Sequence, residues 1–154
     1  MNIESRLKEL GLVLPPVPQS VANYVPFVRV GNTVHTSGAL CMWEGALRYV
    51  GKVGAEVSED EAYQAARICA LNNLAVIKEA CGGDFDRFEQ LISVSGFVNA
   101  APSFTRIPQV INGASDLFVD VLGEAGRHAR TAVGAAVLPL DSSVETAVII
   151  ALKA

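Results

Sequence analysis

The feature that most constrains this chain is a helix signal between residues 58 and 83. Ser58-Glu-Asp-Glu61 has the form of a capping box, in which the Ser58 hydroxyl and the Glu61 carboxylate satisfy backbone N–H groups left open at a helix start. Ala62, Ala65, Ala66, Cys69, Val76, Ile77 and Ala80 follow at helical spacing, and Gly82-Gly83 ends the run. A long helix with an apolar stripe must cover another apolar surface.

The rest of the chain supplies that surface as strands. Tyr24 to Val30 and Thr33 to Thr36 are β-rich runs joined at Gly31-Asn32, a two-residue turn that favours positive φ, and they read as a hairpin. Leu47 to Val50 offers a further short strand, and Leu91 to Asn99 a longer one. Val110, Ile111, Ala114, Leu117, Phe118, Val121 and Leu122 trace one face of a second helix, stopped by Gly123. Arg130 to Leu138 and Val144 to Leu152 are two more β runs around a turn at Pro139–Ser143, expected to lie side by side.

The order ββ(β)αβαββ favours an α+β fold, a mixed β-sheet with two helices packed on one face. The other sheet face then has no helix to cover it, and a second copy of the chain is the simplest cover. Composition agrees: 51% of residues are hydrophobic and only 18% charged, few for a surface that is wet all round.

Residues 1–20 form an extension, with a short helix through Leu10 and a stiff segment at Pro15-Pro16-Val17-Pro18. The helix lacks the apolar core of a signal peptide and no stretch is long enough to span a membrane, so the expectation is one cytoplasmic domain over residues 1–154.

Net charge is −4 and the 12 basic residues are scattered, which argues against a nucleic-acid partner. The match of Gly51-Lys-Val-Gly54 to a G-x-x-G nucleotide loop reads as chance on such an acidic chain. Cys41, Cys69 and Cys81 have no C-x-x-C spacing and read as reduced, structural thiols. His35 and His128 lack a partner ligand set, so no metal site is expected, and the chain carries no P-loop or G-x-G-x-x-G signature.

Two residues stand out. Arg130 opens a β run whose same-side neighbours are Ala132, Gly134 and Ala136, small residues that leave a shallow trough beside a fork-shaped cation suited to a carboxylate. The same position also suits an intersubunit ion pair or a solvent-facing strand-end charge. Glu145 is a single carboxylate among Ala147, Ile149 and Ala151, while Val144, Thr146, Val148 and Ile150 face the other way. It is either a half-buried acid able to activate water or a strand-end group reaching solvent.

At these residues the chain resembles the RidA/YjgF (reactive intermediate deaminase, endoribonuclease L-PSP-like) family. The match runs in order through Tyr24, Gly31-Asn-Thr-Val-His-Thr-Ser-Gly38, Leu71-Asn-Asn-Leu-Ala-Val-Ile77, Phe104 to Asn112, Ala129-Arg-Thr-Ala-Val133 and Val144-Glu145. The frequent family pattern P-A-R-[ST]-C-V stands here as His128-Ala-Arg-Thr-Ala-Val133, with proline and cysteine replaced, and the N-terminal extension and Cys41-Met-Trp-Glu44 mark a longer branch.

The resemblance implies a chorismate-mutase-like fold and a homotrimer with ligand clefts between subunits. It assigns Arg130 to the substrate carboxylate, Glu145 to positioning or activating water, and Tyr24, Ser37, Gly38 and Asn112 to the cleft. The implied activity is cofactor-free hydrolysis of 2-imino acids to 2-keto acids and ammonia. The alternatives are a noncatalytic trimer that binds 2-keto carboxylates and, less favoured for an acidic chain, an endoribonuclease or translation inhibitor.

Overall fold

The protein is described here from a computed structural model covering residues 2–19 and 21–154. Met1 and Ser20 of the expected extension lie outside the described residues. Helix α1 (Ile3–Glu9) starts at Asn2, whose side chain accepts from the Ser5 N–H at 3.0 Å. Arg6 Nε donates to the Asp120 carbonyl at 2.8 Å and Lys78 pairs with Glu4 at 2.8 Å, so α1 is tied to both longer helices.

Strands β1 (Phe27–Val30) and β2 (Thr33–Thr36) form the expected hairpin, with Gly31 at φ +61° in its turn. Tyr24 precedes β1. The chain then makes β3 (Ala39–Leu40) and a small second hairpin, β4 (Met42–Trp43) with β5 (Ala46–Leu47). The strand expected over Leu47–Val50 is therefore shifted back and cut short, because Tyr49 takes a left-handed φ of +57° that ends extended structure.

Helix α2 (Glu59–Ala80) has both halves of its capping box: Glu61 N–H to Ser58 Oγ at 3.1 Å and Ser58 N–H to Glu61 Oε1 at 3.0 Å. Strand β6 (Phe88–Asn99) begins earlier than its apolar pattern suggests, α3 (Ile107–Leu122) ends at Gly123, and β7 (Ala129–Ala135) and β8 (Val144–Leu152) complete the fold. β7 stops at Ala135 rather than Leu138 because its partner β6 ends at the paired Asn99.

The main sheet runs β1-β2-β8-β6-β7, with β3 also on β8. This corrects the expectation that the last two strands pair: β6 lies between them, antiparallel to β8 and parallel to β7. The reason is the α3 crossover, which returns the chain to the sheet edge in the same direction as β6. Residues 136–143 are ample to step across one intervening strand, a gap of roughly 10 Å.

Both long helices pack on one sheet face, where Val34, Leu91, Val94, Val98, Val148 and Ile150 meet Leu74, Ile77, Ile111, Leu117 and Phe118, all buried. Each such side chain contributes about 1.5–3 kcal/mol of transfer free energy. Gly113 allows the helices to close, since a Cβ there would lie 2.9 Å from the Tyr63 carbonyl carbon. The opposite face carries Glu145, Ala147, Ile149 and Ala151 of β8, with Val28, Val30 and Val133 more than two-fifths exposed. Among the described residues no helix is long and apolar enough to cross a membrane.

Candidate functional site

The expected site residues fall into two groups. The first is on the β7 edge. Arg130 lies opposite Val94 of β6, and its side chain turns to the helix side of the sheet, toward α3. Its Nη1 donates to Asn112 Oδ1 at 2.8 Å and to Ser115 Oγ at 3.2 Å. Asn112 and Ser115 are three residues apart on α3 and so share a face. Arg130 is exposed, and among the described residues it makes no ion pair. Of its expected trough, Ala132 and Gly134 continue the same side of β7, while Ala136 lies beyond the strand.

The second group lies around β3. Tyr24, Ser37 and Gly38 line one cavity of about 230 Å³, together with Leu40, Met42, Asn72 of α2 and Pro18 and Gln19 of the extension. Ser37 Oγ donates to the Val25 carbonyl at 2.6 Å, which holds the turn into β3. Glu145 belongs to this group. It pairs with Leu40 of β3 and Phe97 of β6, and a Cβ on Gly38 would collide with its carboxylate, lying 2.9 Å from Cδ. Half-burial pushes the Glu145 carboxyl above its usual range, and among the described residues no cation pairs with it.

Two asparagines set this region in place. Asn72 Nδ2 donates to the Met42 carbonyl at 2.8 Å, and Asn73 exchanges hydrogen bonds with Thr146, the residue after Glu145 (Nδ2 to the carbonyl, 3.2 Å; hydroxyl to Oδ1, 2.5 Å). Both are buried. A larger hollow, about 900 Å³, lies where residues 14–19 cross the end of α2; it contains none of the expected site residues, and its size alone carries no chemistry.

The two groups do not meet within one chain. The register puts Arg130 with Val94 and Val148 on the helix side, and Glu145 with Phe97 and Val133 on the open side. They are two strands apart, roughly 10 Å across the sheet.

Sequence reasoning missed Ser115 and left the part played by His128 open. Ser115 Oγ is 2.9 Å from His128 Nε2, and His128 Nδ1 is 2.6 Å from the Gly126 carbonyl oxygen. The i, i+3 spacing of Asn112 and Ser115 was the available signal.

Among known proteins, the chain is 40% identical to Protein TCP17 of Trypanosoma cruzi over 153 residues, which is 99% of this chain and 95% of that protein. A crystal structure of an Agrobacterium tumefaciens protein of unknown function has a TM-score of 0.92 at 47% identity, covering 98% of this chain and 92% of that one. The crystal structure of E. coli TdcF, which holds a bound serine, has a TM-score of 0.64 at 23% identity over 90% and 94% of the two chains, a likeness of fold. The family model described as "YjgF/chorismate_mutase-like, putative endoribonuclease" matches residues 4–152, and the chain belongs to this family.

Proposed function

We propose that this protein is a cytoplasmic, single-domain homotrimer over residues 1–154 that hydrolyses 2-imino acids, or their enamine tautomers, to 2-keto acids and ammonia in clefts between subunits. The observation that carries the reading is Arg130, a cation held at one nitrogen by Asn112 and Ser115 and left without a carboxylate among the described residues. Such a group suits bidentate capture of a small carboxylate. The serine bound to TdcF, an amino acid of the same size class, supports a small carboxylate as ligand.

In this mechanism Arg130 grips the carboxylate and Tyr24, Ser37, Gly38 and Asn112 shape the cleft. Glu145 takes a proton from water as its oxygen attacks the C=N carbon. The nitrogen, protonated in turn, leaves as ammonia, and the carbinol oxygen becomes the keto oxygen. Burial raises the basicity of Glu145 toward what a general base needs near neutral pH. Since Arg130 and Glu145 of one chain face apart, the cleft takes them from two chains.

A second reading, a noncatalytic binder of 2-keto carboxylates, is favoured by one observation: Arg130 and its anchors are complete within one chain, whereas Glu145 stands apart. The scattered basic residues make RNA cleavage the least favoured activity.

A panel of freshly generated imino acids, assayed by ammonia and keto-acid release, tests the reading. Turnover lost in both Arg130→Lys and Glu145→Gln is the expected result. Keto-acid binding without turnover assigns the noncatalytic reading, and neither binding nor turnover overturns both.

A further inference from the structure

We propose that Ser115 and His128 are positioning residues that hold the Arg130 guanidinium with its Nε/Nη2 edge open to a carboxylate. This deepens, and rests on, the reading of Arg130 as the carboxylate-binding group.

The argument is one of hydrogens. A carbonyl oxygen can only accept, so His128 Nδ1, 2.6 Å from the Gly126 oxygen, carries the ring proton. In the neutral ring Nε2 is then a lone pair, and the Ser115 hydroxyl at 2.9 Å must donate to it. A hydroxyl has a single hydrogen. With that hydrogen committed to His128, the Ser115 lone pairs are turned to Arg130 Nη1, which donates to them at 3.2 Å and to Asn112 at 2.8 Å.

Both Nη1 hydrogens are thereby used, and a bidentate partner cannot take the Nη1/Nη2 end. The Nε and Nη2 hydrogens on the other edge meet no acceptor among the described residues. A planar fork anchored at one nitrogen loses less rotamer freedom when a carboxylate docks. His128 is itself fixed: Phe118 packs its ring edge-on, with centroids 6.1 Å apart at 84°, and Gln90 Nε2 holds the preceding Arg127 carbonyl at 2.7 Å. A proline at position 128, as in the frequent family pattern, could make no such link.

A second proton on His128 undoes the arrangement. Nε2 would become a donor to Ser115, the hydroxyl hydrogen would lose its acceptor, and two cations would converge on one oxygen. Burial, and after it the Arg130 charge, lower the imidazole pKa, against the opposing Gly126 hydrogen bond. The other charged groups on the elements around the ring are engaged elsewhere or exposed to solvent. Asp116 accepts from Tyr63 at 2.8 Å, Glu124 pairs with Arg127 at 3.2 Å, and Asp120 of α3 and Glu89 of β6 are exposed.

The test is calorimetric titration of pyruvate into the full-length protein between pH 5 and 8, in a Glu145→Gln background that removes the carboxylate assigned to the same intersubunit cleft. Ser115→Ala and His128→Leu should each weaken binding about three- to tenfold, the equivalent of one neutral hydrogen bond. His128→Gln, whose amide oxygen can accept from Ser115 but does not titrate, should restore affinity at pH 7. It should also abolish the loss of affinity expected of the His128 protein as pH falls below the ordinary histidine range.

Wild-type affinity in both Ser115→Ala and His128→Leu, or the same pH profile with Gln at 128, overturns the positioning role. Arg130→Ala separates the two levels. If it binds pyruvate as well as its parent, or the parent does not bind pyruvate at all, the carboxylate reading of Arg130 falls and the proposal falls with it. If Arg130→Ala loses binding while the Ser115 and His128 variants do not, only the positioning proposal falls.

Discussion

Arg130 and Glu145 project from opposite faces of the same sheet, one beside Val94 and Val148 and the other beside Phe97. A reaction that uses both must draw them from different chains, and this gives a direct test. Arg130→Ala and Glu145→Gln proteins, each inactive alone, should regain activity when unfolded together and refolded. Random mixing in a closed ring leaves about one site in four with both groups intact. Ammonia release at zero in every mixture, with mixed oligomers verified by mass, would place the two residues in unconnected roles.

Gly38 is required for space rather than for backbone freedom. A methyl group there runs into the Glu145 carboxylate, and β3 cannot move away while it pairs with β8. Gly38→Ala should therefore displace the Glu145 carboxylate and lower imine turnover, with only a small loss of stability because the group that must move is the end of a flexible side chain. Urea denaturation with parallel turnover assays measures both, and a variant equal to wild type in each would show that Glu145 is free to swing.

Glu145 also bears on stability. Burial raises its folded-state pKa above the ordinary 4.5, so between that value and the raised one the folded chain binds more protons than the unfolded chain. Stability from this group is full below the unfolded pKa and is lost as pH rises through the folded one. Glu145→Gln should hence melt at a higher temperature than wild type at pH 7, with the gap closing below about pH 4.5. Equal melting curves at pH 7 would mean the carboxylate is satisfied by a neighbouring chain.

The three cysteines are free and buried. The proximity of Cys69, and after it of Ser142 and Ser143, pulls the Cys41 thiol down to about 5 against its burial, whereas burial pushes Cys69 well up and Cys81 to about 11. The Arg48 carbonyl, 2.7 Å from Cys41 Sγ, accepts only from a protonated sulfur and so favours the thiol. Access decides reactivity here, since a thiolate must also be reached. Ellman's reagent should label no cysteine of the native protein within minutes and all three in denaturant; rapid labelling of one native thiol would contradict the burial.

Much of the fold was legible because its signals are local. The Ser58–Glu61 box and the Gly82-Gly83 stop act within a helix turn, and Gly31-Asn32 fixes its hairpin within four residues. The pairing of β7 was not legible, because neighbours in sequence invite pairing while the α3 crossover, a long-range event, inserts β6 between β7 and β8. Nor was the Ser115–His128 contact, which joins α3 to the loop before β7.

The sidedness of each strand is written in the order of its residues: Arg130 with Ala132 and Gly134, and Glu145 with Ala147, Ile149 and Ala151, because side chains alternate strictly along extended backbone. How those sides relate is set by strand pairing. A period of two says which residues of one strand share a face but not which face, and a shift of one residue in register would exchange them. The pairing of Val94 with Arg130 and of Phe97 with Glu145 sets the cation and the carboxylate on opposite surfaces of the sheet.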